Sequence, residues 1–231
     1  MAVTSPEVKK ALEVIFAADS DIYQTRGFQR RIGCGERPAL VIIDLANAWT
    51  KPGNAFTCDD MEVIIPTNQA LLKAARAKRI PVIFTTTAYQ DPKGPRSDTG
   101  MWSRKIPVET LLEGSDEAAI DERIAPEEGE MVIVKKSASA FYGTNLNAYL
   151  HAQRVDTVIL TGVTMAGCVR HTTEDAIAGG FRPIVVREGV GDRVPGVVEW
   201  NLFDIDAKFG DVEPVEKVLE YLEGIEAFAN R

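Results

Sequence analysis

Cys168, Asp44 and Lys135 are the side chains of this sequence whose types and settings suit shared covalent chemistry. Cys168 stands in Thr161-Gly-Val-Thr-Met-Ala-Gly-Cys-Val-Arg170, fed by the apolar run Thr157-Val-Ile-Leu160. A helical pattern of Val169, Thr173, Ala176 and Ile177 leaves it. This reads as a strand, a glycine-bounded turn and a helix opened by the cysteine. Backbone N–H groups and the positive end of a helix favour negative charge there, so a thiol so placed is drawn toward thiolate. Asp44 ends the run Ala39-Leu-Val-Ile-Ile43, and Lys135 follows Met131-Val-Ile-Val134. Ligands of parallel sheets collect outside the carboxyl ends of the strands. If these strands are neighbours, a carboxylate, an ammonium and a thiol converge. The ammonium then lowers the thiol pKa, and the carboxylate takes and returns the proton. Each also has a plainer use: a turn former, a solvated strand end, and a small buried hydrophobe. Cys34 and Cys58 lie in loops without a partner and read as incidental.

The elements that must position these residues alternate along the chain. Residues 6–19 predict a helix with Val8, Leu12, Val14 and Ile15 as contacts, and residues 22–35 a polar arm with three arginines. That arm is either a solvated lead-in or a subunit contact. Residues 39–43, 81–87, 131–134, 157–161 and 183–186 predict strands, with a short sixth at 208–212. The continuous apolar runs suit strands buried on both faces of a parallel sheet. Pro66 is expected in the first turn of a helix running to about Lys78. Thr144 is expected to cap a helix bearing Leu146, Tyr149 and Leu150. Further helices are expected from Cys168 to Gly179-Gly180, over 196–208, and from Pro214 onward with Val215, Val218, Leu219 and Leu222. Residues 88–106, with Pro92, Gly94, Pro95, Gly100 and Trp102, predict a long functional loop or lid. Strands alternating with helices imply right-handed βαβ units and a three-layer α/β/α domain with a six-stranded, mostly parallel sheet. The division is residues 1–37 as helix and arm, and 38–231 as a single domain.

Composition narrows the function classes. The chain has 231 residues, a net charge of −8 and 26% charged residues, which argues against a nucleic-acid partner. No apolar run approaches the ~20 residues that span a bilayer, and the opening residues do not predict a secretory signal. Three scattered cysteines suit a reducing cytoplasm better than a disulfide framework. Two histidines, His151 and His171, are too few for a typical zinc site, so no metal and no cofactor are expected. Gly33-Cys-Gly35 precedes the first strand and does not make a dinucleotide fingerprint. A binding or redox-sensing protein of the same fold is the remaining alternative from another class.

Three motifs in order resemble the cysteine hydrolases of the isochorismatase-like superfamily. They are Val41-Ile-Ile-Asp44, Lys135 followed by Ser139-Ala-Phe-Tyr-Gly-Thr-Asn-Leu146, and Thr161 to Val169 with Cys168. The motif spacing selects Lys135 over Lys136. The resemblance covers about residues 38–222. Further stretches, among them Arg26-Gly-Phe28, Arg30-Arg-Ile-Gly33, Ile43 to Thr50, Gly167 to His171, Gly191 to Val198 and Trp200 to Asp206, are similar to the branch of N-carbamoylsarcosine amidohydrolases. Maleamate amidohydrolases are the main rival. Departures from that branch fall near Tyr142, Met165 and residues 88–103.

The resemblance implies a Rossmann-like sheet and a homotetramer. It also implies attack by Cys168 on an amide or ureido carbonyl through a thioester, with Lys135 and Asp44 managing charge and proton. The N–H groups of Thr164 and Cys168 would form the oxyanion hole, beside a cis peptide at Val163–Thr164. For substrate binding the candidates are Arg193 on a carboxylate, Trp49 and Trp102 as pocket walls, and Lys105 reaching a neighbouring subunit's pocket. Core packing for the tryptophans and a surface position for Arg193 are equally open.

Overall fold

The computed structural model describes residues 6–94 and 97–228. Val8 of the expected helix contacts and Pro95 of the long loop lie outside the described side chains. Six strands, β1 (Pro38–Ile43), β2 (Val82–Thr87), β3 (Met131–Lys135), β4 (Thr157–Val163), β5 (Arg182–Gly191) and β6 (Asp211–Glu213), pair in the order β3-β2-β1-β4-β5-β6. Every ladder is parallel. β1, β2 and β4 are buried at every position, as their unbroken apolar runs require. β3, at the edge, is buried only at Ile133 and Lys135, one face of the pleat.

Helices cover both faces. One cluster joins the short α2 (Asn47–Thr50), α3 (Met61–Ala77) and α7 (Val215–Gly224) to Leu40, Ile42 and Phe84. The other joins α4 (Leu146–Ala152), α5 (Arg170–Ala178) and α6 (Pro195–Lys208) to Val41, Ile43 and Leu160. α1 (Pro6–Thr25) lies outside this sandwich against α6, with Phe16 stacked on Phe203 at 4.6 Å. The arm after it docks on its own chain. Arg31 pairs with Asp206 at 2.6 Å, and the Ile32 and Gly33 N–H groups donate to Asp211.

Four expectations need correction. Pro66 does not open α3; it is inside the helix, five residues past Met61. Buried Met61, Ile64 and Ile65 extend the helical period upstream of it, and their burial outweighs the backbone hydrogen bond lost at proline. The first helix continues to Thr25, six residues past the expected end. Cys168 does not open its helix either. The helical path starts at Met165 with a π-helical turn, Met165–Val169, before α5. Thr144 is not the cap residue either: the N-cap of α4 is Asn145, and the Thr144 hydroxyl, one residue earlier, accepts from the Leu146 N–H at 3.2 Å.

The strand order reverses between β1 and β4, the place where open sheets of this type leave a crevice. Gly162 makes that junction possible. Its φ is 103°, and a Cβ there would overlap the Ile43 carbonyl of β1.

Candidate active site

Asp44 directly follows β1 and has a left-handed backbone, φ 50°. Short acidic residues tolerate this region, and it turns the carboxylate back over the sheet. β1 and β3 are not neighbours, because β2 runs between them. Lys135 therefore reaches across β2. Its ammonium lies 2.7 Å from Asp44 Oδ2, donates to Thr87 Oγ1 at 2.6 Å and to the Ser137 carbonyl at 3.0 Å, and approaches Cys168 Sγ at 3.2 Å. Thr85 donates to Asp44 Oδ1 at 2.8 Å, and Thr87 to Oδ2 at 3.1 Å. Asp44 and Lys135 are both wholly buried, whereas Cys168 stays partly accessible. The structure thus gathers the three residues singled out in the sequence around one ammonium.

The neighbouring Lys136 faces the other way. It ties the long loop down through the Ala88 carbonyl at 2.6 Å, Asp98 at 2.9 Å and Glu113 at 3.2 Å. Strand parity separates the two lysines, since Lys135 shares the buried face with Ile133.

The electrostatics are those of a buried, nearly balanced site. Burial would lower the Lys135 pKa, but Asp44 and Cys168 outweigh it and hold the pKa above the ordinary value. Burial pushes the Cys168 thiol up; Lys135 opposes this and Asp44 reinforces it, and the result is about 12. The resting cysteine is therefore a thiol beside an ammonium and a carboxylate, not the free thiolate that a helix start suggested. Asp44→Asn removes one of the groups that raise the thiol and leaves Lys135 as its nearest charge. The expected result is a thiolate absorbance midpoint at 240 nm well below the wild-type value, with faster alkylation by iodoacetamide at pH 8. An unchanged or higher midpoint would contradict this account of the site.

The turn bearing Cys168 follows the cis peptide Val163–Thr164, at the position implied by the family resemblance. The Thr164 N–H makes no backbone hydrogen bond among the described residues. The turn is held from below and beside. Arg170 pairs with Glu174 at 2.8 Å and Asp204 at 2.7 Å, and donates to Asn201 at 2.8 Å, joining α5 to α6. His171 is exposed and its Nδ1 contacts the Gly167 carbonyl at 2.8 Å, a packing role. Among the described residues no group of three or more His, Cys, Asp and Glu is placed to hold a metal ion.

The other candidates separate. Arg193 is exposed just past β5, with its guanidinium 3.4 Å from the Phe56 carbonyl and 6.0 Å from the Phe56 ring. Trp49 is buried beneath, 5.3 Å from Phe56, so it backs that residue rather than lining an open wall. Trp102 packs on the same core cluster, and Lys105 is exposed one residue past the 3-10 turn Trp102–Arg104. No described side-chain hydrogen bond joins Trp49, Trp102 or Lys105 to Asp44, Lys135 or Cys168. Sequence reasoning missed Thr85 and Thr87. The signal was two hydroxyls on the same face at the end of a strand that should be apolar throughout.

Comparison with known proteins agrees with this geometry. The isochorismatase domain family matches residues 38–217. The chain is 58% identical to an N-carbamoylsarcosine amidase of an Arthrobacter species over 94% of its length and 83% of that protein's. It is 43% identical to a maleamate amidohydrolase of Pseudomonas putida, over 84% of this chain and 90% of that one. A cysteine hydrolase structure from Pseudomonas syringae superposes with a TM-score of 0.76 at 22% identity, covering 85% of this chain and 97% of that one, a likeness of fold. An N-carbamoylsarcosine amidase structure from Thermoplasma acidophilum superposes at 0.65 with 26% identity, over 78% and 97%. With the strand order, the cis peptide and the domain match in agreement, this chain belongs to the isochorismatase family.

Proposed function

We propose that this protein is a cysteine amidohydrolase that cleaves the ureido C–N bond of a small N-carbamoyl amino acid, with N-carbamoylsarcosine as the substrate. The observation that carries the reading is the Lys135 ammonium held between Asp44 at 2.7 Å and the Sγ of the partly accessible Cys168 at 3.2 Å. The 58% identity to a protein named for that substrate supports the choice.

The geometry supports the following sequence. As Sγ attacks the ureido carbon, Asp44 takes the thiol proton, an S–C bond forms and the carbonyl π pair moves onto oxygen. The N–H groups of Thr164 and Cys168 face that oxyanion; preorganised donors of this kind are worth about 2.7–4 kcal/mol each. Lys135 stays protonated and offsets the negative charge that passes between sulfur and Asp44. Asp44 returns the proton to the terminal nitrogen, the C–N bond breaks and ammonia leaves, giving a thioester-type S-carbamoyl enzyme. Water then attacks, giving its proton to Asp44. The C–S bond breaks, the thiol recovers the proton, and the released carbamate falls apart to carbon dioxide and sarcosine.

Arg193 would hold the substrate carboxylate with its planar pair of donors. Arg193→Gln is expected to raise KM for N-carbamoylsarcosine about 100-fold, the scale of a charge-assisted bond worth about 1.5–3 kcal/mol, with a smaller change in kcat. Steady-state ammonia release reads this, and an unchanged KM would move carboxylate recognition elsewhere. The 43% identity to a maleamate amidohydrolase favours a second reading, a small amide acid. A side-by-side measurement decides between them. The primary reading expects kcat/KM for N-carbamoylsarcosine to exceed that for maleamate by about 100-fold or more, because a site that leaves polar groups unpaired rejects the analogue. The reverse order selects maleamate.

A further inference from the structure

Asp192 directly follows β5, and the pairing of Val163 with Gly191 sets it beside the turn after β4. Its side chain is buried, and its two oxygens serve different partners. Oδ2 accepts the Ala166 N–H at 3.1 Å, and Oδ1 accepts the Arg193 N–H at 2.8 Å, with the Arg193 guanidinium 3.7 Å away. Ala166 sits in the π-helical turn between Thr164 and Cys168, whose N–H groups are the proposed oxyanion donors. Arg193 is the proposed carboxylate ligand. One side chain therefore bridges the backbone that meets the reacting carbonyl and the backbone that presents the substrate's far end.

Both contacts are accepted hydrogen bonds, one on each oxygen. A carboxylate is acceptor-only and satisfies both, whereas an amide must turn its NH2 toward one of the two N–H donors. The negative charge also lies at the start of the helical path Met165–Ala178, where it is favoured. The described hydrogen bonds of Asp192 run to the Ala166 and Arg193 N–H groups, and none joins it to Cys168 Sγ.

We infer that Asp192 is a positioning residue that couples the two ends of the site, setting the oxyanion turn through Ala166 and the base of Arg193 together. This rests on the amidohydrolase reading above for the roles of Thr164, Cys168 and Arg193. Its consequence is that carbonyl activation and carboxylate recognition depend on the same carboxylate.

Two aldehydes read the two ends separately. Butanal and 4-oxobutanoate each add to Cys168 as a reversible thiohemiacetal. The S–C bond forms as the carbonyl π bond opens, and the thiol proton goes to oxygen. Both place that oxygen at the oxyanion donors. Only 4-oxobutanoate has a carboxylate, at the same bond separation from the carbonyl carbon as in N-carbamoylsarcosine. In Asp192→Asn, butanal affinity is expected to fall about 10-fold, part of the loss of one oxyanion donor, and 4-oxobutanoate affinity about 100-fold. Alkylation of Cys168 by iodoacetamide, which needs neither end, is expected to stay within about twofold, and the thermal midpoint to fall by only a few degrees, the scale of one lost buried hydrogen bond. Asp192→Ser keeps one acceptor in a smaller side chain and serves if the asparagine variant does not fold. Wild-type affinity for both aldehydes in the variant overturns the inference. A parallel fall in adducts, alkylation and thermal midpoint also does, because it signals a role in folding alone. A wild-type protein that forms neither adduct does too, since no aimed donor pair would be present. The adduct measurements do not require turnover, so a wild type that releases no ammonia rejects the amidohydrolase reading while Asp192 is still judged on binding.

Discussion

Cys168→Ala is expected to lower ammonia release from N-carbamoylsarcosine by about 10⁴–10⁶-fold, the loss seen when a covalent nucleophile is removed from an otherwise intact site. The remaining groups cannot substitute for it. Lys135 has no free pair while it is protonated against Asp44, and Asp44 is wholly buried. The framework should survive, because Lys135 keeps Asp44, Thr87 and the Ser137 carbonyl as partners. The thermal midpoint at neutral pH is thus expected to move by only a few degrees, which on this scale is about 1 kcal/mol. The alkaline limb should change more clearly. The folded thiol titrates at about 12, above the roughly 8.5 of an unfolded cysteine. The native state therefore binds the extra proton between those values, and stability falls as pH rises through that window. Removing the thiol removes this contribution, so the variant's unfolding midpoint should depend less on pH above about 8.5. Retention of more than about one hundredth of wild-type turnover would end the covalent mechanism.

The legible part of this site was its strand ends. Asp44 and Lys135 stand where unbroken apolar runs stop; the first run became a fully buried parallel strand, the second an edge strand buried on one face that still turns Lys135 inward. What one-dimensional reasoning could not supply was strand order. The three side chains converge although β2 separates β1 from β3, and they do so because Lys135 is long enough to cross it. The threonines of β2 complete the site from beneath. A run of Thr85-Thr86-Thr87 satisfies strand propensity so well that its hydroxyls drew no notice.

The failures share a cause: local rules were overruled by tertiary contacts. Pro66 marks a helix start in isolation, but four buried residues of the same helical face include positions upstream of it. Cys168 looked like a helix opener because Gly167 precedes it. The helical path starts at Met165 instead, where Asp192 accepts the Ala166 N–H, a contact between residues 26 apart in sequence. The Trp49 alternatives resolved toward packing, since its ring is buried against Phe56. Substrate identity was least legible. Arg193, Phe56 and the loop pinned by Lys136 come from separate segments whose meeting depends on the whole fold.

Lys135→Met tests the central ion pair as structure and as chemistry together. The substitution keeps length and apolar volume but removes the charge that Asp44, Thr87, Ser137 and Cys168 all face. Breaking a buried pair by deleting one partner leaves an uncompensated charge, at a cost of about 3–5 kcal/mol. Chemical denaturation at pH 7 should show that loss directly. Adding Asp44→Asn should recover most of it, because the double variant has no orphaned charge, Thr85 can still donate to the amide oxygen, and the Thr87 hydroxyl, no longer bonded to Lys135, can accept from the amide NH2. The expected coupling between the two sites is therefore large, in the range of about 1.5–3 kcal/mol or more for directly contacting groups. The pH dependence carries a sign of its own. Lys135 has a folded-state pKa above the unfolded value of about 10.4, so its stabilisation is complete below that pH and is lost as pH rises through the folded value. The stability gap between wild type and Lys135→Met should thus be constant from pH 7 to about 10 and narrow above it. Activity should not follow stability. The double variant is expected to be nearly as stable as wild type yet inactive, because neither group is left to accept the thiol proton or to balance the charge that moves onto sulfur. Near-additive stability losses in the double variant, or recovered turnover, would show that the pair does not act as the unit its 2.7 Å contact implies.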